Sequence, residues 1–316
     1  MAMRRRTVLG AGMGVAAGGF VAARGAAAAA PEGLARSLPG FRDGYATVNG
    51  VRLHYVAGGS GAPLVLLPGW PRTWWEFHKI MPALARTRRV IAVDLRGMGD
   101  SAKPAGGYDK KTMAADIAAL IAKLGHDRAD VLGSDIGSMV AFSLAANHPE
   151  RVRKLVMIDV MHPQEGLDAL TLLPQPGVFH LWWFAFNQVE GLPEQLLTGR
   201  ARPLVDHLCG LMLREQDNVT DRDRRIYAAA YDTPDAIRGG NGWYQTFGQD
   251  IADDRTYAPV TPSLLALVSP ESHDLVRQLL PTKATDAEIV RVDGTGHYVV
   301  EEQPEAVVRH LARFLA

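Results

Sequence analysis

The chain has 316 residues, with 34 basic and 34 acidic side chains and 47% hydrophobic residues, which is the composition of a globular protein able to bury a large core. Its formal charge of zero gives no basic face for nucleic acid. The single cysteine, Cys209, excludes an intramolecular disulfide and a metal site built from several thiolates.

The first thirty residues differ from the rest of the chain. Three consecutive arginines, Arg4 to Arg6, precede a segment rich in glycine, alanine and valine, and a run of alanines ends at Ala30. This order is typical of an export signal, and an arginine pair followed by an apolar pair is of the twin-arginine type. We therefore expect residues 1–30 to be a signal peptide. The mature protein is expected to be exported, to the periplasm or the cell exterior, without a stable membrane anchor.

Strand and helix patterns alternate after this segment. A hairpin is predicted over 47–57, around Asn49-Gly50, and short apolar runs typical of buried parallel strands follow it. This alternation indicates an α/β fold with a mostly parallel, doubly wound sheet. The predicted strands cover 64–67, 90–93, 129–132, 155–158, 264–268 and 289–292, and the main predicted helices cover 112–124, 138–147 and 304–315.

The segment 162–255 interrupts the alternation. It contains clustered aromatic residues and several helical patterns but no strand-like run. We interpret it as a helical cap domain inserted between two strands of the sheet. The core domain would then comprise residues 31–161 and 256–316. Such a cap packs with one face and lines a pocket with another.

The sequence Gly133-Ser134-Asp135-Ile136-Gly137 lies between a predicted strand and a predicted helix, which is the setting of a nucleophile elbow. The turn is so tight that the residues two before and two after the nucleophile must have almost no side chain. Glycines flank Asp135 at these positions, whereas Leu132 and Ile136 would flank Ser134 and clash. The spacing therefore predicts a carboxylate nucleophile, Asp135.

A histidine suited to act with this carboxylate occurs late in the chain. His297 ends the glycine-rich sequence Gly294-Thr295-Gly296-His297, just after the last predicted strand. A nucleophile at an elbow followed by a late histidine is a known catalytic order. None of the other histidines has the spacing of a metal site. We predict His297 as the base, and neither a metal nor an organic cofactor.

Four motifs carry a resemblance to a known family. They are Leu67-Pro68-Gly69-Trp70-Pro71, the segment Asp94–Ser101, the elbow, and Gly296-His297-Tyr298. With them, the chain from about residue 45 to residue 315 resembles the α/β-hydrolase superfamily. Within it, the chain is similar to the branch of epoxide hydrolases and dehalogenases that use an aspartate nucleophile. The resemblance implies an α/β-hydrolase fold with an inserted helical cap, and a cofactor-independent hydrolase.

The resemblance also implies an acid that orients the catalytic histidine. In this branch it often lies at the end of the strand after the elbow helix, where Asp159 occurs. The other known location follows the strand 264–268, where Glu271 or Asp274 could serve. We favour Asp159 because it directly follows a strand, and sites gather at the carboxyl ends of strands.

An oxyanion hole is implied as well. Its backbone N–H donors are expected at Trp70, in the loop after the strand 64–67, and at Ile136, just after the nucleophile. Pro68 stands where the family commonly has histidine. This change leaves the backbone N–H of Trp70 in place, so we expect the oxyanion hole to persist.

The cap residues bear on the substrate. Tyr244 matches a tyrosine that donates a proton in epoxide hydrolases, whereas Trp182 and Phe186 stand where a second such histidine or tyrosine is expected. Trp183 matches a tryptophan of fluoroacetate dehalogenases, but the arginines that bind a carboxylate there are absent near Ile136. We therefore expect Trp182, Trp183 and Phe186 to bind a small, apolar substrate.

Three functions remain open on these grounds. The favoured one is an epoxide hydrolase that forms a diol through an ester on Asp135, with Tyr244 as proton donor. The second is a haloalkane dehalogenase in which Trp182 or Trp183 holds the halide. The third is a catalytically impaired protein that binds an apolar ligand or a protein partner on the same fold. The sequence leaves the oligomeric state open.

Overall fold

The computed structural model describes residues 33–167 and 180–316. The predicted signal peptide, residues 1–30, and part of the predicted cap, residues 168–179, lie outside these ranges. Within the described ranges, no helix combines the length and the apolar character needed to cross a membrane.

Eight strands form one sheet in the order β1-β2-β4-β3-β5-β6-β7-β8. β2 pairs antiparallel with β1 and with β4, and all the remaining pairs are parallel. The mostly parallel α/β sheet is therefore confirmed, and β1 and β2 form the predicted hairpin. The strands are β1 (Arg42–Val48), β2 (Val51–Gly58), β3 (Ala62–Leu67), β4 (Arg88–Val93), β5 (Ala129–Ser134), β6 (Val152–Ile158), β7 (Ser263–Val268) and β8 (Ala287–Arg291).

The helices lie between and after these strands. The predicted helices 112–124, 138–147 and 304–315 correspond to α2, α3 and α12, with bounds within two residues. In chain order the helices are α1 (Met81–Leu84), α2 (Lys110–Lys123), α3 (Ile136–Asn147), α4 (Trp182–Gln188), α5 (Leu192–Leu197), α6 (Ala201–Met212), α7 (Asp221–Ala230), α8 (Pro234–Gln245), α9 (Phe247–Asp254), α10 (His273–Leu279), α11 (Val299–Glu302) and α12 (Pro304–Phe314).

The centre of the sheet is covered on both faces. Successive residues of Leu64–Leu67, Val90–Val93 and Leu264–Val268 are all buried. Side chains alternate between the two faces of a strand, so a run of buried residues requires cover on each side. The strands β3 to β8 run parallel to one another, so their carboxyl ends lie at one edge of the sheet. The loops that follow them meet at that edge.

The chain between β6 and β7 differs from the rest. Its described residues form six helices, α4 to α9, and no strand. The glycine-rich α8 packs directly on the loop after β4, because a Cβ atom on Gly239 would lie 2.8 Å from the Cα atom of Gly97. The division into a cap over 162–255 and a core over 31–161 and 256–316 stays a prediction.

Candidate active site

Asp135 lies at the apex of the turn between β5 and α3. Its backbone has φ +49° and ψ −118°, a conformation that few non-glycine residues adopt. A Cβ atom on Gly133 would lie 2.1 Å from the carbonyl oxygen of Gly137, and a Cβ atom on Gly137 would lie 1.9 Å from that of Leu67. Both positions thus exclude side chains. Ser134 is the last residue of β5 and is buried below the apex.

The loop after β3 contacts the nucleophile through its backbone. The N–H of Trp70 donates to Oδ2 of Asp135 at 2.8 Å. Gly69 permits this approach, since a Cβ atom there would lie 2.5 Å from the Cβ atom of Asp135. Ile136 is the first residue of α3, and the N–H groups in the first turn of a helix have no acceptor within the helix. The N–H of Ile136 is therefore free of the helical hydrogen-bond pattern. The structure therefore places the Trp70 N–H on the carboxylate, and Ile136 directly follows Asp135 at the start of α3.

His297 lies between two carboxylates. Its Nε2 is 3.9 Å from Oδ1 of Asp135, and its Nδ1 is 2.8 Å from Oδ2 of Asp159. Asp159 directly follows β6, has φ +61°, and accepts the N–H of Ser269 on its Oδ1 at 2.7 Å. Residues from three strand ends therefore form one line from Asp135 through His297 to Asp159.

The two other candidates for the acid lie elsewhere. The Glu271 carboxylate is 63% exposed and forms an ion pair with Arg214 at 3.6 Å. The Asp274 carboxylate is 99% exposed and contacts the neighbouring His273. Neither side chain contacts the catalytic histidine, so the geometry favours Asp159.

The environment of His297 sets its basicity. Burial by itself would lower its pKa, but the hydrogen bond to Asp159 and the negative charges of Asp159 and Asp135 raise the pKa to about 8. The backbone of the loop is fixed too, because the N–H of His297 donates to the carbonyl of Met212 at 3.0 Å. The imidazole is held in place and favoured in its protonated form.

Tyr244, on α8, lies among aromatic rings next to the elbow. Its ring centroid is 5.4 Å from that of Trp70, 5.3 Å from that of Phe184 and 5.2 Å from that of Phe247. Burial, reinforced by the charge of Asp135, raises the pKa of Tyr244 well above its usual value, although a hydrogen bond with Trp183 opposes the rise. The phenol keeps its proton at neutral pH.

The other predicted cap residues divide into two positions. Trp183 is buried and interacts with Tyr244, and its role in binding a substrate stays a prediction. Trp182 and Phe186 are half-buried and pack on each other, with ring centroids 5.8 Å apart, and Trp182 also packs on His207 of α6. The indole Nε1 of Trp182 is buried without a hydrogen-bond partner in the described part of the chain.

Two residues of this region were not predicted from the sequence. Phe184 packs on Tyr244. Glu76 accepts the N–H of Gly69 at 2.9 Å, behind residues 68–70 after β3, which form the predicted oxyanion loop. Glu76 is the only acid in the aromatic stretch Trp74–Phe77. A lone carboxylate in such an apolar run was the one available signal of a buried, functional group.

The fold and the site together define the class of protein. Residues 62–304 match the family of the alpha/beta hydrolase fold. The chain belongs to this family and is a hydrolase, and no cofactor is needed in the family.

Named relatives narrow the comparison to epoxide hydrolase-like members. The chain is 35% identical to the soluble epoxide hydrolase of Corynebacterium sp. strain C12, over 86% of this chain and 96% of the relative. It is 27% identical to a fluoroacetate dehalogenase of Burkholderia sp., over 88% of this chain and 94% of the relative. Among solved structures it is similar to Cfl2 from Burkholderia cenocepacia, with a TM-score of 0.82, 32% identity, and 88% and 97% coverage of the two chains.

Proposed function

We propose that the protein hydrolyses epoxides to diols through an ester formed on Asp135. One observation carries the proposal. A carboxylate stands at the apex of the elbow, with one oxygen on the Trp70 N–H and the other facing Nε2 of His297. A carboxylate is a weak nucleophile toward amides but displaces well at a strained, saturated carbon. The similarity to a soluble epoxide hydrolase supports this choice.

The first step is ring opening. One oxygen of Asp135 attacks an epoxide carbon, the carbon–oxygen bond of the ring breaks, and the oxygen leaves with the bonding electrons. The phenol of Tyr244, kept neutral by its high pKa, gives its proton to this alkoxide. The product is an ester of Asp135 with a free hydroxyl on the neighbouring carbon.

The second step is hydrolysis of that ester. His297 takes a proton from water, which attacks the carbonyl carbon of Asp135, and Asp159 stabilises the resulting imidazolium. The oxyanion forms on the oxygen held by the Trp70 N–H, with the Ile136 N–H as second donor. Each donor of this kind lowers such a barrier by about 2.7–4 kcal/mol. Collapse of the tetrahedral intermediate releases the diol as the imidazolium of His297 protonates the leaving oxygen. The resulting carboxyl group of Asp135 gives its proton to the Tyr244 phenolate, which restores both the carboxylate and the phenol.

The surroundings of the site favour an apolar substrate. The Tyr244 phenol packs against three aromatic rings, those of Trp70, Phe184 and Phe247, and a fourth ring, that of Trp183, packs on Phe184. Apolar walls with a few oriented polar groups are typical of pockets for small, apolar molecules.

A haloalkane dehalogenase is the second candidate. Two observations favour it, since indole N–H groups can hold a departing halide. The indole Nε1 of Trp182 has no partner among residues 33–167 and 180–316, and Trp183 lies beside Tyr244. The similarity to a fluoroacetate dehalogenase supports the same chemistry. A haloalkane would form an ester on Asp135 without any proton donor.

Trapping of the ester tests both candidates. In His297→Gln, alkylation proceeds but the base for hydrolysis is lost, so we expect an adduct of the whole epoxide mass in intact-protein mass spectrometry. A haloalkane would instead add its mass less that of the hydrogen halide. Asp135→Asn is the control, and it should form no adduct. Absence of an adduct with both substrate panels would contradict the covalent mechanism and favour a non-enzymatic binding protein.

A further inference from the structure

Glu76 is a buried acid that the mechanism above leaves unused. It lies in the short 3-10 helix Trp74–Phe77, which begins after Thr73, and its side chain is 2% exposed. Its Oε2 accepts the N–H of Gly69 at 2.9 Å, and the hydroxyl of Ser134 approaches the same carboxyl group closely enough to lower its pKa by hydrogen bonding. One side chain therefore holds two separate backbone segments.

The partners of Glu76 immediately precede the two residues in contact at the oxyanion hole. Gly69 precedes Trp70, and Ser134 precedes Asp135. The carboxyl group of Glu76 thus bridges the two segments one residue below the 2.8 Å contact between the Trp70 N–H and Oδ2 of Asp135. A shift in either partner would move this donor away from the nucleophile.

Among the described residues, no cation forms an ion pair with Glu76. The nearby Arg72 pairs with Glu301 at 2.8 Å, and Glu301 also accepts the Tyr227 hydroxyl. Burial and the charge of Glu301 raise the pKa of Glu76 to about 7, although the bonds from Ser134 and Gly69 and the charge of Arg72 oppose the rise. An isolated buried carboxyl group costs stability, so its presence at this point calls for a role.

We propose that Glu76 is a positioning residue for the reaction, whose carboxyl group fastens the oxyanion loop to the nucleophile strand and so keeps the Trp70 N–H on Asp135. The inference rests on the proposed function, since it concerns the step in which charge develops on Asp135. Alkylation uses the nucleophilic oxygen, whereas hydrolysis places the new charge on the oxygen that Trp70 holds. Loss of Glu76 should therefore slow hydrolysis more than alkylation.

Two variants separate the hydrogen bonds of Glu76 from its charge. Glu76→Ala removes both bonds, and we expect ester hydrolysis to slow by about 10- to 100-fold in single-turnover measurements, approaching the loss of one oxyanion donor. Glu76→Gln keeps an acceptor for Gly69 and can donate to the Ser134 hydroxyl, so hydrolysis at high pH should stay within about threefold of the wild type. Alkylation should change little in either variant.

The slowing of hydrolysis relative to alkylation is the readout that a merely structural role would not move, and the pH profile reports separately on the charge of Glu76. The charge of Glu76 helps to raise the pKa of His297, together with those of Asp159 and Asp135. The other groups around Glu76, namely Glu301, Arg72, Tyr227, Tyr231 and Ser134, are the same in the variant. In Glu76→Gln the midpoint of the hydrolysis profile should shift to lower pH.

Asp130→Asn is the matched control. Asp130 is a buried acid of β5 paired with Arg88 and Arg153 at the opposite end of the strand, so its loss tests stability without touching the loop. The proposal is overturned if folded Glu76→Ala hydrolyses the ester at the wild-type rate. If Glu76→Ala does not fold, Ser134→Ala, which removes the contact of Glu76 with β5 alone, provides the test, and a wild-type rate of ester hydrolysis in that variant overturns the proposal. Failure of the proposed function itself would be seen separately, as a lack of ester in His297→Gln.

Discussion

Asp135 stands at the apex of the elbow because its neighbours lack side chains. A Cβ atom on Gly133 would lie 2.1 Å from a backbone oxygen, and a Cβ atom on Gly137 would lie 1.9 Å from another. No residue other than glycine therefore fits at either position. The strained backbone of Asp135 lifts its carboxylate above the end of β5. The same turn buries Ser134 below the apex, where its hydroxyl interacts with the carboxyl group of Glu76 and lowers its pKa. At this scale the flanking glycines decide which of two adjacent side chains stands at the apex.

The pH dependence of ester hydrolysis is a prediction at the residue scale. His297 must be neutral to accept a proton, and its pKa is raised to about 8, so the rate should fall as the pH drops through about 8. In Asp159→Asn the pKa should move toward its usual value and the midpoint should move to lower pH. The maximal rate should fall by roughly 10²- to 10⁴-fold, since the imidazole loses its orienting partner.

The measurement is single-turnover decay of the ester over a range of pH. Asp116→Asn is a suitable control, because Asp116 is a buried acid paired with Arg96 and lies away from the histidine. A midpoint in Asp159→Asn equal to that of the wild type would show that another group orients His297.

At the residue scale, spacing alone predicted the most exacting positions. The glycine pattern led to Asp135 and the glycine-rich loop led to His297, because both are local features of the chain. Asp159 needed a choice among alternatives, since the chain can deliver an acid to the histidine from more than one strand end. Glu76 could not be found, because its partners Gly69 and Ser134 meet only in the folded sheet.

At the scale of elements, a buried lysine connects the core to the helices above it. Lys110 begins α2, and its Nζ lies 2.6 Å from Oδ2 of Asp250 on α9 and 2.6 Å from the carbonyl oxygen of Trp243 on α8. Its backbone N–H also donates to Asp250, at 2.7 Å. Trp243 precedes Tyr244 and donates its indole N–H to the carbonyl of Arg96 at 3.0 Å. These contacts fix the helix that carries the proposed proton donor.

Removal of this lysine should be costly. Lys110→Met leaves Asp250 buried without its partner, and we expect the free energy of unfolding to fall by about 3–5 kcal/mol in urea titrations. The double variant Lys110→Met with Asp250→Leu should recover part of the loss, since no unpaired charge remains. As a control, breaking the exposed pair of Arg238 and Asp235 should cost less than about 1 kcal/mol. A loss of less than about 1 kcal/mol for Lys110→Met would show that the contacts of Lys110 do not hold α8 and α9 in place.

The elements themselves were predicted unevenly. The buried strands were found because apolar runs bounded by turns have few alternatives. The helices α2 and α3 begin two residues earlier than expected, because Asp109 caps the first and the elbow starts the second. The arrangement of α4 to α9 was beyond the sequence, because aromatic side chains alone do not show which face of a helix meets the core.

At the scale of the whole molecule, the topology assembles the site. Parallel strands β3, β5, β6 and β7 each end at the same edge, and the loops after them contribute Trp70, Asp135, Asp159 and Ser269. His297 joins them from the loop after β8. Residues more than 200 positions apart in the chain therefore meet within hydrogen-bonding reach of one carboxylate pair. Export through residues 1–30 stays a prediction, since these residues lie outside the described ranges.

The covalent route is tested most directly by following oxygen through one turnover. With enzyme in excess over epoxide, in water enriched in oxygen-18, the diol should receive its new oxygen from Asp135 and remain unlabelled. The heavy oxygen should appear in the peptide that contains Asp135, as detected by mass spectrometry of a proteolytic digest. Label in the diol and none in that peptide would show direct attack of water on the epoxide, and would contradict the ester on Asp135.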